Sequence, residues 1–444
     1  MHSFTADAAR SLPGPGWLAE RRAAAAERFA AADPPTAAAE EWRYSAIADF
    51  DLAAYRPANG SGAGASATGP MLTTLDAPSG PSGVVGVSGL VEAAGDAPAA
   101  AVVDVVDGRV VAIEGDDRLR DSGVFVGPLA DAAGGEEMLG SVSAGASDYF
   151  TVLNDAFTPD PLVVDVPAGV VLDGPIVVRH LAGQAGAASF PRLVVRVGRD
   201  AQAAVLDVQH SAGSALVVPV VELDVGQAAR LGYVNLQQHD HRTWQIAAHT
   251  ARVERDAALV AASVALGGGY ARTRTDTRLV GRGASGDLLS AYFGSGDQIL
   301  DFRTYQDHAA PDTTSNLLYK GAVGDSARSV YTGLIRVRPN ARGTNAFQTN
   351  RNLKLSEDAW AESVPNLEIE NNDVRCSHAS AVGPVDPDQV FYLESRGVPT
   401  PVAERLIVSG FFDEVIDGLP VPSVEDAARE ALALKLNQML KAAA

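Results

Sequence analysis

Val197-Gly-Arg-Asp-Ala201, Val225-Gly-Gln-Ala-Ala229, Val253-Glu-Arg-Asp-Ala257 and Val280-Gly-Arg-Gly-Ala284 repeat one pattern: a valine, three residues that are mostly polar or glycine, then an alanine. Val323-Gly-Asp-Ser-Ala327 and Val337-Arg-Pro-Asn-Ala341 continue it. Successive units lie 28, 28, 27, 43 and 14 residues apart, all close to multiples of 14. A fixed period is the signature of a repeat architecture. Each unit reads as one short strand and a turn, with Gly, Asp or Asn rounding the corner. The absence of helical stretches between these strands argues against a βαβ arrangement. Units of this kind cannot bury a face alone but stack into a solenoid with a continuous core. A parallel β-helix with about two units per coil is the predicted fold, and a β-sandwich with regular turns is its competitor.

The rest of the chain is organised around that core, expected over residues 160–380. Residues 1–55 read as a helical segment, with an Ala-rich helix over about 16–31 and a shorter one over 37–45. Residues 56–70, Arg56-Pro-Ala-Asn-Gly-Ser-Gly-Ala-Gly-Ala-Ser-Ala-Thr-Gly-Pro70, have the composition of a flexible linker. Residues 71–159 mix short Val-rich runs with Gly and Pro and read as a small α/β segment. A C-terminal helical domain is expected over 381–444. Asp386 before Pro387 starts one helix and Gly397 ends it. Thr400-Pro401 opens another, whose Val402, Leu406, Ile407, Phe411, Val415 and Ile416 are apolar. These helices are expected to cover the end coil and to dock a partner.

At 444 residues the chain exceeds one ordinary compact core. A formal charge of −20 argues against nucleic acid and against an anionic membrane surface, because both are held by clustered Lys and Arg. No stretch has the length and apolarity of a transmembrane helix. Met1 to Trp17 lacks the pattern of a signal peptide, so a cytoplasmic location is expected. The single cysteine, Cys376, excludes an internal disulfide framework and a Cys-rich metal site made by this chain alone.

Glu41–Tyr44, Phe150–Phe157, Val166–Val170, Arg375–His378 and Phe391–Gly397, in that order along the chain, together resemble the SufB/SufD family of iron–sulfur cluster assembly scaffolds. Glu41-Trp42-Arg43-Tyr44 is similar to its E-x-W-K/R-Y signature. Phe150-Thr-Val-Leu153-Asn154-Asp-Ala156-Phe157 resembles F-x-x-L-N-x-A-F, and Val166-Pro167-Ala-Gly169-Val170 the V-P-x-G-V turn that opens the β-helix. Arg375-Cys376-Ser377-His378 resembles the C-S-H-x element, and Phe391-Tyr392-Leu393-Glu-Ser395-Arg396-Gly397 the F-Y-L-x-S-R-G helix. Where SufB-like sequences carry a scaffold cysteine, in V-E-C-x-N-N, this chain has Ile369 within Leu367-Glu-Ile369-Glu-Asn371-Asn372. The acidic–His–acidic element of SufB is replaced by Cys376-Ser377-His378. Both departures point to the SufD side of the family. The resemblance implies a right-handed parallel β-helix and a non-catalytic scaffold. It implies a SufB-like sister subunit, SufC-like ABC ATPases and sulfur-donor proteins as partners. It further implies a transient iron–sulfur cluster shared with the partner, with no cofactor tightly bound by this chain alone. An enzyme of the β-helix lyase or hydrolase kind and an adhesin-like solenoid are the alternatives.

Cys376 and His378 are two residues apart, so on a strand both face the same way and could reach one iron. Val374 shares their parity, so the same pattern also suits a trio packed in the core. The resemblance makes Cys376 and His378 the candidate transient cluster ligands at a subunit interface. Phe391, Tyr392, Arg396, Phe411 and Phe412 are the candidate partner-docking residues. His239 and His241 alternate as well, but a solvated polar sheet face is the simpler reading. Gly267-Gly268-Gly269 lacks the Lys and Ser/Thr of a phosphate loop and reads as a tight corner. Asp301, Arg303, Asp307, His308 and Asp312 are acid–base residues without a recognisable catalytic pattern.

Overall fold

The computed structural model describes residues 3–58, 99–115, 117–143 and 148–442. Its centre is a β-solenoid built from two long sheets, one of twelve and one of ten strands among the described residues. From Leu162 onward the neighbouring strands within each sheet run parallel. One sheet runs outward through Arg192–Val197, Val220–Val225, Trp244–Val253, Tyr270–Leu279, Ile299–His308 and Arg328–Val337 to Trp360–Ile369. The other runs through Gln202–Ser211, Arg230–Gln238, Ala258–Ala265, Ser285–Gly294, Thr314–Val323 and Thr344–Lys354 to Val374–Pro384. Consecutive strands alternate between the sheets, so each coil carries two strand-and-turn units, as the 14-residue period predicts.

The repeat marks the corners. Val197, Val225 and Val253 are register partners at the ends of strands in the twelve-stranded sheet. In these four units the residue just before the alanine takes the left-handed conformation: Asp200 (φ 57°), Ala228 (56°), Asp256 (57°) and Gly283 (73°). These corners stack by backbone hydrogen bonds, for example Asp200 N–H to Gln227 O at 2.9 Å and Ala228 N–H to Arg255 O at 2.8 Å. Asp and Gly suit such positions because they tolerate a positive φ. All six pattern alanines are at most 1% exposed, packed just inside a corner where little side-chain volume fits. Val323–Ala327 sits at the opposite corner, after a strand of the ten-stranded sheet. Its distance of 43 residues from Val280, an odd multiple of the half-coil, places it there.

Inside the coils, Val195, Val197, Leu223, Val225 and Val253 of one sheet meet Ala203, Val205, Leu231, Tyr233 and Leu259 of the other. Arg56 and Pro57, placed in the expected linker, instead pair with Ala187 and Ala188. Most of that linker and the first part of the 71–159 segment lie outside the described residues. The later part of the segment joins the solenoid: Ala101–Val106 pairs with Ile176–Leu181, and Phe125–Pro128 with Leu162–Asp165.

The F-x-x-L-N-x-A-F segment forms the helix Tyr149–Phe157. Asp148 caps it, with its carboxylate accepting from Thr151 N–H at 2.8 Å and Thr151 Oγ1 accepting from Asp148 N–H at 2.7 Å. Phe150, Leu153, Ala156 and Phe157 are buried, and Asn154 Nδ2 donates to the carbonyls of Pro191 (3.0 Å) and Val218 (2.7 Å). This fixes the helix on the solenoid through two backbone carbonyls.

The C-terminal helices overturn one expectation. Thr400–Ile416 and Glu425–Ala442 lie along the outer face of the ten-stranded sheet and leave the end coil open. Val408, Phe412, Val415, Ile416, Leu432 and Leu436 join one cluster with Leu206, Val234, Leu236, Val264, Leu289 and Phe293. The reason is that these strands are apolar on both faces, so the outward row also needs cover. Lys435 helps fix the last helix: its ammonium donates to the carbonyl of Leu266 and to Gln298 Oε1. Burial pushes this amine down to about 7.

Candidate functional site

The open C-terminal end of the solenoid is made by Trp360–Ile369 and Val374–Pro384, the last strands of the two sheets. Each has a ladder neighbour on one side only, and most of their residues are exposed or half-exposed. In the ten-stranded sheet Ala346 is the register partner of Cys376, and Gln348 that of His378. Cys376 therefore faces inward, where it packs on the last apolar layer of the lumen with Ile335, Val337, Ala341, Ala346 and Leu367. His378, two residues on, shares that face but is exposed because no further coil covers it. The two donors stand side by side at the mouth of the lumen.

Half-burial pushes the Cys376 thiol up from its ordinary value, so the isolated chain holds it protonated at neutral pH. A thiolate there requires a metal ion or a positive partner to draw off the proton. Among the described residues no three His, Cys, Asp or Glu side chains converge as metal ligands. Thiol and imidazole together are the donor types that iron and iron–sulfur centres take, and this chain presents one of each.

Other candidates separate. His239 and His241 lie on the bend after Arg230–Gln238, not on a solvated sheet face: His239 is 5% exposed, with neither ring nitrogen hydrogen-bonded, while His241 is exposed beside Asp240. Burial pushes His239 down to about 3. Gly267–Gly269 is a tight corner with Gly268 at φ +84°, and a Cβ on Gly267 would collide with the His239 backbone. His308 is buried against Thr313 and Ser315, at 2.8 and 2.9 Å. Asp307 pairs with Arg338 at 2.7 Å and Asp312 with Arg282 at 2.8 Å, so no acid–base group assembles.

Asp301 belongs to a cluster that the sequence did not reveal. It binds Arg272 (3.0 Å) and Arg303 (2.6 Å), whose guanidinium groups also donate to the carbonyls of Glu41 (2.9 Å) and Arg43 (2.7 Å). Arg272 also stacks over the Trp42 ring at 4.0 Å. The Glu41–Tyr44 motif is thus clamped onto the solenoid by residues more than two hundred positions away. No local signal could have shown it.

The docking candidates divide by burial. Phe391 (70% exposed) and Tyr392 (57%) are open, and Arg396 lies over the Tyr392 ring at 5.2 Å. Leu406, on the following helix, is also exposed, at 52%. Phe412 is 2% exposed and packs inward on the sheet. Phe411 is half-buried, its carbonyl accepting from Lys320 Nζ at 2.9 Å. Phe412 therefore holds the helix in place, and the free apolar surface lies at Phe391, Tyr392 and Leu406.

The family model described as SUF system FeS cluster assembly, SufBD core domain, matches residues 180–411, which include most of the solenoid and the Cys376–His378 strand. The chain belongs to the SufBD family of iron–sulfur cluster assembly proteins. The SufBD family protein of Mycobacterium tuberculosis strain H37Rv is 41% identical over 281 residues, 62% of this chain and 68% of its own length. Escherichia coli SufD is 27% identical over 316 residues, 67% of this chain and 74% of its own. Bacillus subtilis SufD is 39% identical over 149 residues, 34% of each chain. No helix among the described residues is long and apolar enough to cross a membrane.

Proposed function

We propose that this SufBD family member is a SufD-like, non-catalytic scaffold subunit of a SUF assembly complex. The observation that supports this reading is the open last coil, with Cys376 and His378 side by side on its inward face. The end strands expose unpaired backbone groups, the kind of edge that another β structure completes. A SufB-like sister solenoid meeting this end would cover the lumen mouth. It would place its own ligands opposite Cys376 and His378, and sulfur-donor proteins would feed that interface. The nascent cluster is the cargo of the pair, held transiently across it. The exposed Phe391, Tyr392, Arg396 and Leu406 suit docking of a SufC-like ABC ATPase, whose ATP turnover supplies the work this chain does not perform.

The test is iron and acid-labile sulfide per assembled complex, measured anaerobically. His378→Ala and Cys376→Ser are each expected to lower both while subunit stoichiometry and melting temperature hold. Wild-type content in both variants ends the ligand reading.

A further inference from the structure

Gln348 is fully buried, 0% exposed, and neither its amide oxygen nor its amide nitrogen has a hydrogen-bond partner. Leaving a buried amide unpaired is costly, so such a group points to a missing partner. Its surroundings narrow the choice. Its register partner on the inner side is Leu317, which is apolar. Along its own strand the inward neighbours are Ala346, with no polar group, and Asn350. The Asn350 amide is engaged, donating to Tyr292 Oη (3.0 Å) and Tyr319 O (3.3 Å) and accepting from Asn352 Nδ2 (2.9 Å). From the facing sheet comes Gly333, whose missing Cβ leaves the space the Gln348 amide fills. Tyr331 Oη lies beside it and is already paired with Thr304 Oγ1 at 3.0 Å. The next residue along that facing row is Pro365, again without a polar side chain. On its own sheet the in-register neighbour left is His378, on the outer side, while Gln306 and Ser363, next along the inward rows of the facing sheet, carry unpartnered polar atoms of their own.

We propose that Gln348 is a positioning residue for His378, its amide oxygen accepting the imidazole N–H from below. Adjacent strands stand about 4.8 Å apart, so in-register side chains on one face stack within reach of such a bond. Accepting one ring N–H fixes the tautomer and turns the other nitrogen outward to the mouth of the lumen, which is how a ligating histidine is prepared. In its role toward the cluster, this inference rests on the reading of Cys376 and His378 given above. The contact itself does not.

The test reads the ring directly. In the ¹⁵N-histidine-labelled full-length chain at about pH 8, where a free imidazole is neutral, the His378 signals are assigned by their loss in His378→Ala. The wild type is expected to show one dominant tautomer, Gln348→Leu a mixture of both, and Gln348→Glu the single tautomer again because an acceptor is restored. Gln348→Leu continues the Leu317 row and removes an unpaired amide, so its melting temperature should hold or rise. An unchanged His378 tautomer in Gln348→Leu overturns the proposal, whatever the melting temperature. Iron per complex separates the two ideas. A tautomer shift in Gln348→Leu beside wild-type iron in His378→Ala keeps the positioning role and removes the cluster.

Discussion

Arg192 and Glu222 meet at 2.6 Å with both side chains withdrawn from water, 2% and 0% exposed. The Glu222 carboxylate also accepts the amide N–H groups of Gly140 (2.9 Å), Val142 (3.2 Å) and Ser143 (3.2 Å), tying the segment before the Tyr149–Phe157 helix to the sheet. Burial alone would push Glu222 up; the Arg192 guanidinium and these amides outweigh it and hold the carboxyl below its ordinary value. Removing one partner leaves an uncompensated buried charge. Arg192→Met is therefore expected to destabilise the chain by about 3–5 kcal/mol. Adding Glu222→Gln should recover part of that loss. Denaturation midpoints of the two single variants and the double variant check the coupling.

Four buried histidines, His180, His239, His249 and His308, oppose folding at acid pH. Burial lowers His239 to about 3, and His249 and His308 to about 4. The unfolded chain binds their protons near pH 6.5, above the folded values, so their stability contribution is full above about 6.5 and is lost as pH falls toward 4. At pH 5 each of His239, His249 and His308 costs about 2 kcal/mol relative to pH 7. Melting temperature should fall steadily between pH 6.5 and 4, and His249→Gln should flatten that slope. An equal slope in the variant removes His249 from the account.

Burial separates two phenylalanine-bearing surfaces of the C-terminal helices. Phe412→Ala deletes a packed ring and should cost about 3–5 kcal/mol, releasing the Thr400–Ile416 helix from the sheet. Phe391→Asp with Tyr392→Asp changes only exposed side chains and should leave the melting temperature within a degree or two. If the exposed surface docks an ATPase, the second pair abolishes co-purification with a folded subunit. Retained co-purification counts against that docking site.

Ala228 is the one alanine among the left-handed corner residues, at φ 56°. An L-residue with a Cβ pays about 1–2 kcal/mol there, which glycine avoids. Ala228→Gly should therefore raise stability by up to about 1 kcal/mol after its entropic cost. A drop in melting temperature would show that the stacked corner, not the backbone, sets the preference.

The corners, the strand period and the shared face of Cys376 and His378 were legible in the sequence, because each rests on local geometry. A positive φ selects Asp or Gly within one turn, and alternation along a strand assigns residues 376 and 378 to the same side without knowledge of the rest. The Asp386 cap before Pro387 was legible for the same reason: its carboxylate accepts from Asp388 N–H at 2.9 Å, two residues away. The position of the C-terminal helices was not legible. Val234, Leu236 and Val264, outward on the ten-stranded sheet, are more apolar than the inward Asn235, Gln237 and Ser263 beside them, so alternation gave no sign of which face turned to the lumen and which needed cover. Phe411 and Phe412 looked equivalent in sequence, and only the docked helix turned one of them inward. Nothing local in the sequence sets Gln348 apart from any other polar residue in a strand. Its isolation depends on Leu317, Gly333 and Pro365, which three other strands bring around it. Local backbone preferences act within a few residues and are written in the chain; which side chains share an enclosed space depends on contacts between distant segments, and only the folded solenoid decides it.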